Sequence, residues 1–316
     1  FIGRHNVIHL CKLIFRLESY QETLIMLVRT FVRKFFEINR ENCWKRIISS
    51  SEQNCKKSSE HVKFSLPKAF FVGSFAGFLG SLAGMGGGFV MIPLMTSRLL
   101  KLSQHQAHGT SLFAVATTGI AGAIGYSGQL DLEAAATIAL CGMFTARLGA
   151  SITAKLSEKV LKQALGFYMV MIAPVIPAKE YFIKNKSNQK SQSSHSLVER
   201  IMSSAGIGLG SGFLAGLFGV GGGAVVVPAL TLATDLNHYQ ALGTSLCAMT
   251  LPAVVGTATH FSKNNIALRI APSLAIGSFV GAYAGSKVGL GVDENSLRYG
   301  FSSLMLALGI KTLLKA

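Results

Sequence analysis

The sequence predicts an all-α membrane protein, a polytopic helical bundle built from two homologous repeats. Two observations carry that prediction. The 316-residue chain is 50% hydrophobic and 14% charged, with a mean hydropathy of +0.44, too apolar for a soluble domain of this length. It also repeats itself: Gly84-Met-Gly-Gly-Gly-Phe-Val-Met-Ile-Pro93 returns as Gly219-Val-Gly-Gly-Gly-Ala-Val-Val-Val-Pro228. Gly73 and Gly77 match Gly208 and Gly212 upstream, and Gly109-Thr-Ser-Leu112 matches Gly243-Thr-Ser-Leu246 downstream. A duplication of that length in an apolar chain implies two halves facing each other, with a site between them.

Residues 1–68 differ in kind from the rest of the chain. Arg16, Arg29, Arg33 and Lys34 interrupt an apolar stretch, and a polar Ser/Glu/Gln/Asn segment comes after it. This reads as a basic, partly helical cytosolic extension lying on anionic headgroups. An organelle transit peptide is the other reading, and the glutamates of this segment count against it. Repeat one spans 69–178, a Lys/Ser/Asn/Gln-rich linker spans 179–200, and repeat two spans 201–316.

Each repeat reads as four apolar elements. The first runs from Phe70 to a Gly-rich break at 84–88 and resumes only briefly; the same break recurs at 219–223. Apolar segments of about 10–14 residues are too short to span a bilayer and mark re-entrant hairpins or broken helices. Stretches at 107–126, 132–145, 165–178 and 270–285 are examples of the apolar runs that supply candidate spans. Charges in corresponding loops tend to opposite sign: Arg98 and Lys101 against Asp235, and Asp131 and Glu133 against Lys263 and Arg269. By the positive-inside rule the two repeats then run in opposite orientation, each broken element entering and leaving on one side. The basic linker disagrees with that arrangement, and eight full crossings with parallel repeats is the alternative.

The formal charge of +16 is spread over the extension, the linker and the ends of apolar runs. Such a distribution suits headgroups and excludes a nucleic-acid partner, which needs a clustered basic surface. The five cysteines, at 11, 43, 55, 141 and 247, show no CxxC pair and no metal spacing. Gly219-Val-Gly-Gly-Gly-Ala224 formally fits a dinucleotide fingerprint but lacks the strand, the βαβ unit and the acidic residue that the fingerprint requires. No Asp or Glu sits deep in either repeat, which argues against a carboxylate cation site and against an acid/base pair. No enzyme and no cofactor is expected.

The glycines point elsewhere. Three in a row cost about 1 kcal/mol each in an ordinary helix. At a break, however, the next helix presents unpaired N–H groups and the positive end of its dipole, and glycine lets backbone approach an anion closely. The triple glycines read as a site-forming break. Gly73, Gly77, Gly208, Gly212 and Gly216 read as small-residue helix packing, and Pro93 and Pro228 as structural. Bulk at Gly87 or Gly222 is expected to abolish transport while leaving insertion intact.

At these motifs the chain resembles the TauE/SafE sulfite-exporter family of anion transporters. The resemblance rests on the duplicated G-x-G-G-G-x4-P core and the duplicated G-T-S-L after it, and covers about 69–316. It implies movement of sulfite, sulfonates such as sulfoacetate, or related sulfur-containing anions across a membrane. Carried over by position, the substrate-binding residues are Gly86, Gly87, Gly88, Thr110 and Ser111 with Gly221, Gly222, Gly223, Thr244 and Ser245. The hydroxyls suit sulfonate oxygens, or else bond back to their own helix carbonyls. His108 stands where repeat two has Leu242, and His260 lies near the end of another apolar run; either can carry a coupling proton or act as a helix-bonding residue. Arg147 is a counter-charge or snorkels to the interface.

The expected function is therefore alternating-access transport of small anions between two repeats. An anion channel and a non-transporting membrane scaffold are the alternatives. The expected setting is a multi-pass protein of a plasma or organellar membrane, with a small anion and the bilayer as partners.

Overall fold

The computed structural model describes residues 66–175 apart from Arg98, and residues 197–314 apart from Asp235. Most of the basic extension and of the linker lies outside the described residues, as do the loop charges at Arg98 and Asp235. The described residues are helical throughout, with no strand among them. In chain order they form α1 (Leu66–Leu82), α2 (Gly88–Thr96), α3 (Gln104–Gly125), α4 (Leu132–Thr153), α5 (Glu158–Ile172), α6 (Leu197–Phe218), α7 (Gly223–Ala233), α8 (His238–Ala248), α9 (Thr250–Ser262), α10 (Ala271–Gly289) and α11 (Glu294–Leu314).

Local chemistry sets most boundaries. Ser103 caps α3 by accepting from Gln106 N, Asp131 caps α4 through Ala134 N, and Ser157 caps α5 through Val160 N. Asn237 and Gln240 form a reciprocal capping box at α8. One boundary departs from the expected pattern: the apolar run that holds α8 and α9 is interrupted at Met249, whereas α3 runs unbroken. Pro252 explains the difference, because it has no N–H to return to the Ala248 carbonyl.

Long-range packing crosses the chain. α1 lies along α10 and α4 lies along α6, so each Gly-rich helix partners a helix from the other half of the sequence. Small residues make these approaches. A Cβ on Gly77 would sit 2.8 Å from the Ser278 Cα, and one on Gly208 would sit 2.7 Å from the Ile138 carbonyl oxygen. Gly142 and Gly212 pack backbone to backbone in the same way. The upstream glycines thus have the packing role read from their spacing.

The interior mixes large apolar side chains such as Phe89, Ile92 and Leu112 with buried polar ones, and further large apolar side chains face outward. Phe71, Phe144, Phe167 and Met202 are each at least 61% exposed, whereas Thr110, Ser111, Thr244, Ser245, His108 and His260 are fully buried. So many large apolar side chains left outside the core suit a lipid solvent. Among the described residues, Leu132–Thr153, Arg200–Phe218 and His238–Ser262 are long and apolar enough to cross a membrane, and Leu66–Leu82 and Tyr299–Leu314 are shorter apolar helices.

Candidate functional site: two glycine breaks face to face

Each break is built the same way. α1 ends at Leu82 and α6 at Phe218, and the chain then passes through left-handed backbone at Gly84, Gly86 and Gly87 in one copy and Gly219, Gly221 and Gly222 in the other. The φ values of these residues run from 67° to 99°, a region in which a Cβ is costly, so glycine at these six positions is a backbone requirement. No side chain caps α2 or α7 at their N-cap residues Gly87 and Gly222. The first turn of α2 closes with Val90 N to Gly87 O, and that of α7 with Val225 N to Gly222 O, each at 3.0 Å. The amides of Gly88, Phe89 and Ala224 precede those bonds and have no carbonyl of their own helix to meet.

The two breaks meet in the interior. A Cβ on Gly88 would lie 2.6 Å from the Gly219 carbonyl oxygen and 2.7 Å from the Val220 Cα; one on Gly223 would lie 2.7 Å from the Met85 Cα. Gly86 and Gly221 both abut the same two side chains, Val115 and Met249. Those two residues plug the centre, and no sequence motif marks either of them.

The Thr–Ser pairs tie the breaks across the chain. Ser111 Oγ donates to the Gly219 carbonyl at 2.8 Å, and Ser245 Oγ donates to the Gly84 carbonyl at 2.8 Å. Ser111 also reaches its own helix at the His108 carbonyl, at 2.8 Å. Thr244 Oγ1 accepts from Asp131 N and Thr110 Oγ1 accepts from Ala267 N, each at 3.0 Å. All four hydroxyls therefore hold backbone in this arrangement. Asp131 is anchored further, since its carboxylate pairs with Arg200 at 2.9 Å.

Residues 69–312 match the family model described as Sulfite exporter TauE/SafE. The chain belongs to the TauE/SafE family. It is similar to a "Probable membrane transporter protein" of Xylella fastidiosa, 27% identical over 75% of this chain and 91% of that protein. A relative of the same description in Methanocaldococcus jannaschii is 26% identical over 79% of this chain and 96% of that protein. One in Bacillus subtilis is 25% identical over 69% of this chain and 86% of that protein. No solved structure matches the chain. This TauE/SafE member is thus a membrane transporter, from a family of membrane transporters.

The remaining candidates of this TauE/SafE chain separate. His108 and His260 come together at the carbonyl end of α6: the His108 ring lies beside the carbonyls of Leu217 and Phe218, and the His260 ring beside that of Gly216. His105, one helical turn before His108, joins them, and Gln104 Nε2 lies 3.1 Å from His108 Nε2. The i, i+3 spacing of His105 and His108 is the sequence signal that places both on one face. Arg147 is exposed, on the stretch of α4 that turns Phe144 and Leu148 outward.

Proposed function

We propose that the chain carries small sulfur-containing anions, sulfite or sulfonates such as sulfoacetate, by alternating access between two inverted repeats. Repeat one is 69–178 and repeat two 201–316, with each Gly-broken first element re-entrant and the remaining elements crossing the bilayer several times. The observation that carries this reading is the meeting of two uncapped helix starts, α2 and α7, in the buried centre. Each offers unpaired amides and a positive dipole end to the same small volume, which is the chemistry an oxyanion needs. Gly86, Gly87, Gly88, Gly221, Gly222 and Gly223 are the backbone part of the site.

Ser111, Ser245, Thr110 and Thr244 complete it in a second sense. In the arrangement described, Ser111 and Ser245 donate to the Gly219 and Gly84 carbonyls. A sulfonate oxygen entering between the breaks replaces those carbonyls as acceptor, so each hydroxyl exchanges one partner for another and loses no hydrogen bond. Thr110 and Thr244 keep the loops before α4 and α10 in place while the breaks part. Val115 and Met249 close the centre against free diffusion, which suits a carrier with an occluded state.

The test is uptake of labelled sulfite into proteoliposomes, with sulfoacetate, sulfate and chloride as competitors. The expected result is saturable uptake with counterflow, blocked by sulfoacetate and not by chloride. Conductance far above carrier turnover would replace the carrier with a channel, and inserted protein without uptake or counterflow would remove the sulfur-anion reading.

A further inference from the structure

The carbonyl end of α6 faces a set of ring nitrogens that the anion site does not use. His108 and His260 are fully buried, and His108 Nδ1, both nitrogens of His260 and the buried His105 Nδ1 make no hydrogen bond of good geometry, although the α6 carbonyls lie beside the His108 and His260 rings. Orphaned polar atoms in an apolar interior are costly, and a cluster of them marks a place built for something that comes and goes. Among the described residues no group of three or more ligating side chains is disposed to hold a metal ion. What this cluster can hold is a proton.

We propose that His105, His108 and His260, set against the carbonyls of Gly216, Leu217 and Phe218, form the proton-binding site that couples this carrier to a pH gradient. The inference rests on the anion-transport reading and names its coupling ion. Burial opposes an imidazolium at this place, and the last carbonyls of the helix, which carry the negative end of its dipole, offset part of that cost. Gln104 serves both protonation states: its amide N–H donates to neutral His108 Nε2, and after an amide flip its carbonyl accepts from the protonated ring. Thr153 Oγ1 donates to the Leu217 carbonyl at 2.6 Å and holds the last turn of α6 in position.

The charge around the cluster limits its capacity to one proton. From α3 the facing groups are His105 and His108. From α9 and the turn after it they are His260 and Lys263, the latter donating to the Ser151 carbonyl at 3.1 Å. From α5, Tyr168 stacks on Phe218 with ring centroids 4.8 Å apart. No carboxylate pairs with these rings among the described residues, so a second proton would meet only like charge.

A short chain of bonds joins the cluster to the anion site. Ser111 Oγ bridges the His108 carbonyl and the Gly219 carbonyl, and Gly219 comes directly after Phe218. A proton that draws the Leu217 and Phe218 carbonyls toward His108 therefore acts on the residue that opens the α6–α7 break. The other break has Leu242 where this one has His108, so the coupling is one-sided.

The experiment uses labelled sulfoacetate in proteoliposomes, because sulfite equilibrates with a membrane-permeant neutral form. Two assays run in parallel: counterflow at equal pH, and accumulation driven by an imposed pH gradient. The wild type is expected to do both. His108→Leu, which installs the residue of the other half, is expected to keep counterflow within about threefold while losing gradient-driven accumulation about tenfold or more. Should that variant fold poorly, a pH indicator on the detergent-solubilised wild type reads the same site, with about one proton exchanged per sulfoacetate bound. Wild-type counterflow with no response to the gradient, accumulation that survives in folded His108→Leu, or no proton exchanged on binding overturns the proton site and leaves the anion reading standing. Absence of counterflow in the wild type overturns both.

Discussion

The ends of α1 and α6 are built to one plan and furnished differently. At both, three left-handed glycines succeed the helix, a serine from the opposite half donates to the first break carbonyl at 2.8 Å, and the next helix begins without a cap. The furnishing is another matter. Tyr126 and His260 stand equally far after Gly109 and Gly243; Tyr126 Oη donates to the Ser81 carbonyl at 3.4 Å, while His260 lies beside the matching carbonyl of Gly216. Opposite them, a Cβ on Gly289 would collide with the Tyr126 hydroxyl, whereas Thr153 bonds the same end of α6 whose Gly216 carbonyl lies beside His260. The difference teaches that the backbone plan is common property while the chemistry at each helix end is free to diverge, provided its packing partner changes with it.

The largest effects should come from breaking the shared plan. Gly87→Leu and Gly222→Leu place a side chain at φ 76° and 67°, into the Ala76 and Ser211 carbonyls respectively. The cost at either position should be about 2–5 kcal/mol, from left-handed strain plus overpacking. Thermal unfolding in detergent should therefore fall sharply for both, in addition to lost transport. A variant of one break that unfolds as the wild type does would show that the two are not equivalent.

Exchanging the furnishings is the intermediate case. His260→Tyr alone puts a larger ring against the end of α6 that Thr153 already bonds and should cost about 1–3 kcal/mol. Adding Thr153→Gly, which copies the pairing of Tyr126 with Gly289, should recover much of that loss in a double-mutant cycle. If the second substitution adds to the damage, the two ends are not interchangeable settings.

The smallest effect sharpens the comparison. Ser111→Ala and Ser245→Ala each remove one buried donor to a break carbonyl and should each cost about 1–2 kcal/mol. Equal shifts in unfolding temperature would support equal frames. A larger loss for Ser111 would reflect the sharing of its one proton with the His108 carbonyl.

Sequence exposes the breaks because consecutive glycines are a backbone signal, readable without neighbours. It exposes the small-residue helix faces for the same reason. The interruption at Met249 has its local signal too, in Pro252, but the apolar run around it masks the stop. What no local pattern carries is the partner of Ser111, which lies 108 positions away at Gly219, and that of Ser245, which lies 161 positions away at Gly84. A hydroxyl beside a Gly-rich motif looks like a ligand until its acceptor is known. The cluster at α6 is half visible: His108 and His260 stand out within apolar runs and His105 does not, because only the fold brings the turn after α9 to the start of α3.

The partnering of α1 with α10 has a consequence for how the chain is made. The α1 face carrying Gly73 and Gly77 finds its match only when Gly289 has been added, roughly 200 residues after Leu82. At about 5–20 residues per second that is a wait of about 10–40 s. Through that interval α1 stands without its mate, so α1 is a segment that a membrane chaperone would have to shelter.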